Sequence, residues 1–287
     1  MSELLSLVNE EVKTIADVVM RFQAEEEGKS EKEIYDVMAK RLQIMREAAD
    51  KGINEDICSP TGLVGGGGKR LEERRLAGLS VSGTTSARAS AIAMAVAEVN
   101  AAMGRVVAAP TAGSCGILPG VLFALEAEKN LEEEKLVKGL FTAAGIGMIT
   151  ARQANLSGAA LGCQAECGVA TAMAAAAAVE IIGGEAKQAA VASGIALQGL
   201  LGLVCDPVGG LVEIPCVNRN AICAAHALAA ADIALAGICC YIPFDEIITA
   251  MVEVGRVMPP SLRETGIGGL AGCPSAKKLI KDKLENL

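Results

Sequence analysis

Apolar positions in the first fifty residues recur at helical spacing. Ile34, Val37, Met38, Leu42 and Met45 share one face of a 3.6-residue repeat, Ser30 and Glu33 form a capping-box signature ahead of them, and Gly52 offers a C-cap behind them. The spacing predicts an amphipathic helix here and a second one over 4–25, a pair with one apolar face. From residue 86 onward the pattern changes. Ala-rich segments at 87–103, 131–154, 169–182, 186–203, 221–236 and 243–257 alternate with turns that carry Gly, Pro and Ser. Alanine is the best helix former and its small side chain lets backbones approach closely, so a compact all-α domain with its chemistry on interhelical loops is expected. Period-two alternation is scarce, and only 105–108 and 210–214 could hold a short strand.

Between these regions lies a run of helix breakers, Ser59-Pro60-Thr61-Gly62 and then Gly65 to Gly68. Four glycines before Lys69 suggest phosphate binding, but the P-loop spacing is missing and no strand leads into them, so a hinge or lid is the better reading. The organisation expected is an N-terminal helical pair over 1–58, a Gly-rich linker or lid over 59–85 and a helical domain over 86–287.

Composition narrows the function. With 52% hydrophobic and 21% charged residues in 287, the chain can bury a large core and is not disordered. Its 26 Lys and Arg against 34 Asp and Glu give a net charge of −8, so no basic field exists to hold nucleic acid or anionic lipid. A mean hydropathy of +0.40 raises the question of a membrane. The apolar runs from Val169, Ala189 and Ala221 are interrupted by Glu180, by Gln198, and by His226 with Asp232, short of the roughly 20 apolar residues a span needs. The first residues are acidic and lack a secretory pattern, so a cytoplasmic protein without a membrane segment is expected.

Ten cysteines in a cytoplasmic chain argue against a disulfide framework and towards metal, redox chemistry or simple burial. Cys223, Cys239 and Cys240 sit in apolar helical runs and read as buried hydrophobes, while Cys58 and Cys115 remain open. Structural zinc is disfavoured, because no CxxC pair exists and only one His is present. Three loops set cysteine beside glycine or proline: 110–116 (PTAGSCG), 157–168 (ending GCQAECG) and 205–220 (CDPVGG to PCVNRN). Exposed amides beside thiolates suit an iron-sulfur cluster, although spacing alone leaves burial open as well.

The strings AVAEVNAAMGRVVAAPTAGSCGILPG, SGAALGCQAECG, CDPVGGLVEIPCVNRNA and RETGIGGLA resemble the alpha chain, or alpha domain, of the iron-sulfur-dependent L-serine dehydratases, in the same order from about residue 80 to about 271. The resemblance implies a 4Fe-4S cluster held by Cys163, Cys205 and Cys216, the cysteines of the GCQ, CDP and PC motifs, with one iron free of protein thiolate. Cys167 departs from the motif form in which an apolar residue follows the glutamate, and is open between facing the cluster and packing. Family members often end in a cysteine that occupies the open iron; this sequence ends in Leu287, with Cys273 as either a resting ligand or an incidental thiol.

The activity implied is deamination of L-serine to pyruvate and ammonia, with the open iron assisting loss of the β-hydroxyl while a base takes the α-proton. Thr111, Gly113 and Ser114 are candidates to hold the substrate carboxylate, with Gln164 beside the cluster; each also reads as a turn-forming or packing residue. His226 and Asp206 are considered as base and neither is assigned. Rival readings are pyridoxal-phosphate chemistry on Lys69, a related cluster-dependent L-cysteine desulfidase, and a non-catalytic cluster-bearing subunit. Family members pair this part with a beta part carrying an SSSHT-type loop, which the first 80 residues lack along with any His. A beta subunit is therefore the expected partner, with a homo-oligomer also open. The apolar N-terminal face is read equally as a docking surface or as packed on the chain's own core.

Overall fold

The computed structural model describes residues 1–11 and 14–283. Its helices run in order α1 (Ser2–Glu11), α2 (Ile15–Glu27), α3 (Glu31–Asn54), α4 (Gly67–Leu76), α5 (Thr84–Ala101), α6 (Ile117–Lys129), α7 (Glu133–Gln153), α8 (Gly158–Leu161), α9 (Val169–Ile181), α10 (Ala186–Gln198), α11 (Cys216–Leu235), α12 (Phe244–Val257) and α13 (Pro274–Lys283). The expected all-α architecture is what the chain adopts. Among the described residues there is no strand, and the candidates at 105–108 and 210–214 are irregular; an isolated bridge joins Cys205 to Arg263.

Helix α9 is the axis of the fold. Every one of its residues except Glu180 is buried, as a helix that is apolar all round requires. Around it pack α6, α7, α10 and α11, with α5 against α6 and α11. Alanine and glycine set the spacing: a Cβ on Gly139 of α7 would fall 2.6 Å from a methyl of Ile181. No described helix is long and apolar enough to cross a membrane.

The N-terminal segment differs in detail from the sequence reading. Where a single helix is expected over 4–25, α1 and α2 are described, and 12–13 lie outside the described residues. Thr14 starts α2 with a capping box closed by Asp17. A distant residue completes this end: the half-buried Glu180 carboxylate accepts the Ile15 N–H at 2.6 Å and the Ala16 N–H at 3.3 Å. The capping box of Ser30 and Glu33 is present, but α3 runs through Gly52 to Asn54. Gly52 is a contact glycine rather than a cap, since a Cβ there would lie 2.5 Å from the Ala95 carbonyl oxygen. Both α2 and α3 turn their apolar faces onto the chain's own core, which is one continuous cluster from Val8 to Met251.

The segment read as a Gly-rich linker or lid over 59–85 contains α4, packed along α5. Here close approach outweighs propensity, for a Cβ on Gly68 would meet that of Ala95 at 2.6 Å. Glu98 of α5 replaces a phosphate: its buried carboxylate accepts the N–H groups of Gly67 (2.7 Å) and Gly68 (3.1 Å), occupying the anion site that a helix N-terminus offers.

Candidate functional site

The three cysteine loops meet at one side of α9. Ser157 caps the short α8, and Gly162, at φ +83°, turns the chain into the space between Met258 and Leu203, where a Cβ would lie 2.8–2.9 Å from either. One turn of π-helix, Gln164–Gly168, then leads into α9. Such turns widen the backbone and recur at functional sites. Gln164 is fully buried and spends its amide on the protein, donating to the carbonyls of Leu161 (2.8 Å) and Met251 (3.0 Å) and accepting from Gly202 N–H (2.9 Å). It braces the Cys163 turn, and these bonds leave its side chain no donor for a substrate.

Cys205 is held by backbone bonds to the 262–264 strip, its N–H donating to Leu262 at 2.9 Å and its carbonyl accepting from Glu264 at 2.6 Å. Arg219, in the first turn of α11, donates to the Val204 carbonyl at 2.9 Å and to the Asp206 carboxylate at 2.7 Å. Asp206 also accepts the Leu270 N–H at 2.7 Å, so this buried carboxylate fastens the loop in place. Glu213, buried before Pro215 and Cys216, accepts the hydroxyls of Ser59 (2.9 Å) and Thr61 (2.5 Å), which joins the 59–62 turn to the same loop.

The first loop begins with a cis Ala109–Pro110 bond and closes into a tight turn over Ala112–Ser114. Ser114 is fully buried, its hydroxyl 3.2 Å from the Ala109 carbonyl and 3.2 Å from the Thr111 hydroxyl. Thr111 and Gly113 stay half-exposed. Asn220 links this loop to the Cys216 loop, donating to Gly113 and Cys216 carbonyls and accepting Gly116 N–H.

Electrostatics mark the thiols as one group. Burial raises the Cys205 and Cys216 thiols, the latter to about 12, and the charge of Cys163 raises both further. Cys163 moves the other way, lowered first by a hydrogen bond from Cys167 and then by the nearby Arg219 guanidinium, against the cost of burial. Glu166 sits among these elements: its carboxylate meets the Cys205 thiol at 3.8 Å, bonds the Thr111 hydroxyl and the Gly158 N–H, and is raised chiefly by burial. Among the described residues no three His, Cys, Asp or Glu side chains are close enough to share a single metal ion.

The family model described as serine dehydratase alpha chain matches residues 10–271, across all of these loops. The chain belongs to this family. It is 48% identical to the probable L-serine dehydratase alpha chain of Bacillus subtilis over 97% of this chain and 93% of that one. It is 42% identical to the L-serine dehydratase alpha chain of Peptoniphilus asaccharolyticus, over 99% and 97% of the two chains. L-serine dehydratase 1 of Escherichia coli is 38% identical over 94% of this chain, which spans 60% of that longer protein.

Other candidates of this serine dehydratase alpha chain family member lie apart from the loops or serve the scaffold. His226 points its Nε2 at the Ala196 carbonyl, 3.2 Å away, between α11 and α10. Cys115 is fully buried, its thiol pushed up to about 12 by desolvation. Cys239 is exposed and Cys240 half-exposed, not core as expected, because they fall in the turn between α11 and α12. Cys273 is exposed, 3.7 Å from the Gly269 carbonyl, and Lys69 is paired with Asp56 at 2.7 Å. The sequence reading missed Glu166, Arg219, Asn220 and Glu213. The available signal was their polarity, since each interrupts an otherwise apolar cysteine loop.

Proposed function

We propose that this chain is the alpha subunit of an L-serine dehydratase that holds a 4Fe-4S cluster on Cys163, Cys205 and Cys216 and forms pyruvate and ammonia from L-serine. The observation that supports the cofactor reading is that Cys163, Cys205 and Cys216, from two loops, lie near enough for the charge of Cys163 to raise both other thiols and that of Cys216 to raise Cys205. Thiolates on one zinc ion crowd around a single centre at about 2.3 Å each. In a cubane each thiolate binds a different iron, so three thiolates need not crowd on one centre. When bound, such a cluster supplies a Lewis acid for the departing β-hydroxyl.

The chain's own residues then have separable tasks. On the half-exposed turn beside Glu166, the Gly113 N–H would bind the substrate carboxylate, and Thr111, whose hydroxyl donates to Glu166, would offer its hydroxyl to the substrate once that bond is released. Ser114 contributes from beneath by fixing that turn, and Gln164 by fixing the Cys163 turn, so both act as positioning residues. Arg219 brings a guanidinium next to Cys163 and Cys216 and offsets thiolate charge. Loss of water from L-serine gives aminoacrylate, which tautomerises and takes up water to release ammonia and leave pyruvate.

A beta subunit is the partner we propose. Two relatives of matching length are named alpha chains, and the Escherichia coli relative named L-serine dehydratase 1 extends well beyond the part this chain covers. The test is anaerobic reconstitution with iron and sulfide, with and without a co-expressed beta chain, followed by a pyruvate assay. Pyruvate from L-serine only with the beta chain is expected. Full turnover by the lone chain would remove the partner, and sulfide release from L-cysteine without serine turnover would replace the dehydratase by a desulfidase.

A further inference from the structure

The space above Gly113 is walled by side chains from all three loops. A Cβ placed on Gly113 would lie 3.6 Å from Glu166 Oε1, 3.7 Å from Thr111 Oγ1 and 3.7 Å from a methyl of Val212, ordinary contact distances on every side. The missing side chain therefore leaves a small hollow with two oxygens on one wall and a methyl on another.

Glu166 is the member of this wall whose charge is unanswered. Over 161–179 every other residue is buried, so its side chain alone opens out of the core there. Its Oε2 stands 3.8 Å from the Cys205 Sγ, and among the described residues no Lys or Arg forms an ion pair with it. The Arg219 guanidinium nearby is engaged by Asp206 at 2.7 Å. A carboxylate partly withdrawn from water is costly unless a positive group meets it.

The proposed substrate carries such a group. In zwitterionic L-serine the ammonium and the carboxylate hang from one carbon, so the acceptor of the first must stand beside the donor to the second. Glu166 Oε1 meets that condition above Gly113. An ammonium arriving there also takes the place of the Thr111 hydroxyl and frees it for the carboxylate.

We propose that Glu166 binds the α-ammonium group of L-serine and thereby selects amino acids over hydroxy acids of the same shape, an inference that rests on the serine dehydratase reading above. A hydrogen bond from an ammonium to a carboxylate is roughly twice as strong as one between neutral groups. Glu166 is in this role a substrate-binding residue, and no proton transfer is assigned to it.

The test uses the full chain, reconstituted anaerobically in the form that turns over L-serine, alone or with the co-expressed beta chain. L-alanine and L-lactate are the probes, because neither has a β-leaving group and they differ only in ammonium against hydroxyl. Their binding is read by calorimetry in wild type, Glu166→Gln and Gly113→Ala, beside iron content and melting temperature. Glu166→Gln should weaken L-alanine about 10–100-fold, the range for losing a charged hydrogen-bond partner, and leave L-lactate within about twofold. Gly113→Ala, whose Cβ meets ordinary contacts only, should keep its iron and melting temperature while binding neither probe. Equal weakening of both probes by Glu166→Gln, unchanged L-alanine binding in either variant, or L-alanine bound no tighter than L-lactate by active wild type would overturn the proposal. Iron loss from a folded Glu166→Gln would also overturn it, by putting the carboxylate on the cluster. If Glu166→Gln fails to fold, Glu166→Asp is judged by the same ratio of the two probes. Wild type that forms no pyruvate from L-serine in either form would defeat the serine dehydratase reading first and this inference with it.

Discussion

Asn220 donates from Nδ2 to the Gly113 carbonyl at 2.8 Å, although the two residues are 107 positions apart. The same side chain also bonds Cys216 and Gly116, so one buried amide sets the distance between the proposed substrate turn and the loop of a proposed ligand. Replacement by Ala orphans a buried N–H and two carbonyls and should cost roughly 3 kcal/mol. Denaturant unfolding of Asn220→Ala measures it, and stability within 0.5 kcal/mol or so of wild type, the usual range for an uninvolved site, would remove the brace.

Iron content separates ligands from bystanders. Cys163→Ala, Cys205→Ala and Cys216→Ala should each lower iron per chain after anaerobic reconstitution. Cys115→Ala, Cys239→Ala and Cys273→Ala should not, because Cys115 is buried against the Val96 carbonyl and Cys239 and Cys273 are exposed elsewhere. Full iron in any of the first three variants would strike that residue from the ligand set.

A helix-favouring substitution should be harmful in α4. Gly to Ala ordinarily gains up to about 1 kcal/mol in a helix interior. At Gly68, however, the new Cβ would lie 2.6 Å from the Ala95 Cβ and 2.7 Å from its backbone. Overpacking of this kind costs about 1–3 kcal/mol. Gly68→Ala should therefore lower the melting temperature, and an increase would show that α4 can shift on α5.

Glu180 should give stability an unusual pH slope. Burial raises its carboxyl above the ordinary 4.5, against the opposing bonds from Thr142, Ile15 and Ala16. The folded chain thus holds this proton to higher pH than the unfolded chain does. Its contribution is complete below 4.5 and is lost as pH rises through the folded value. Glu180→Gln removes that loss, so the stability of wild type relative to the variant should decline as pH rises from 4.5 through the folded value. Parallel unfolding profiles across that window would contradict the shift.

The helical frame was legible because alanine-rich periodicity and breakers mark α5, α7, α9 and α12 closely. What escaped were contacts made over long separations. Gly52 and Gly68 read as a stop and a hinge, since nothing near them in sequence announces Ala95 against both. The cysteine loops stood out by their residue types. Glu166 and Asn220 did not, because their partners come from other loops and only tertiary packing brings them together.

The carboxylate at the start of α2 also bears on synthesis. Glu180 follows Ile15 by 165 residues, which at about 5–20 residues per second is roughly 10–30 s of translation. Throughout that interval the nascent α2 has only its local Thr14 cap, and for most of it the apolar side also lacks α7 to cover it. The N-terminal helices thus emerge as a sticky surface awaiting the middle of the chain, a window in which a ribosome-associated chaperone has something to hold.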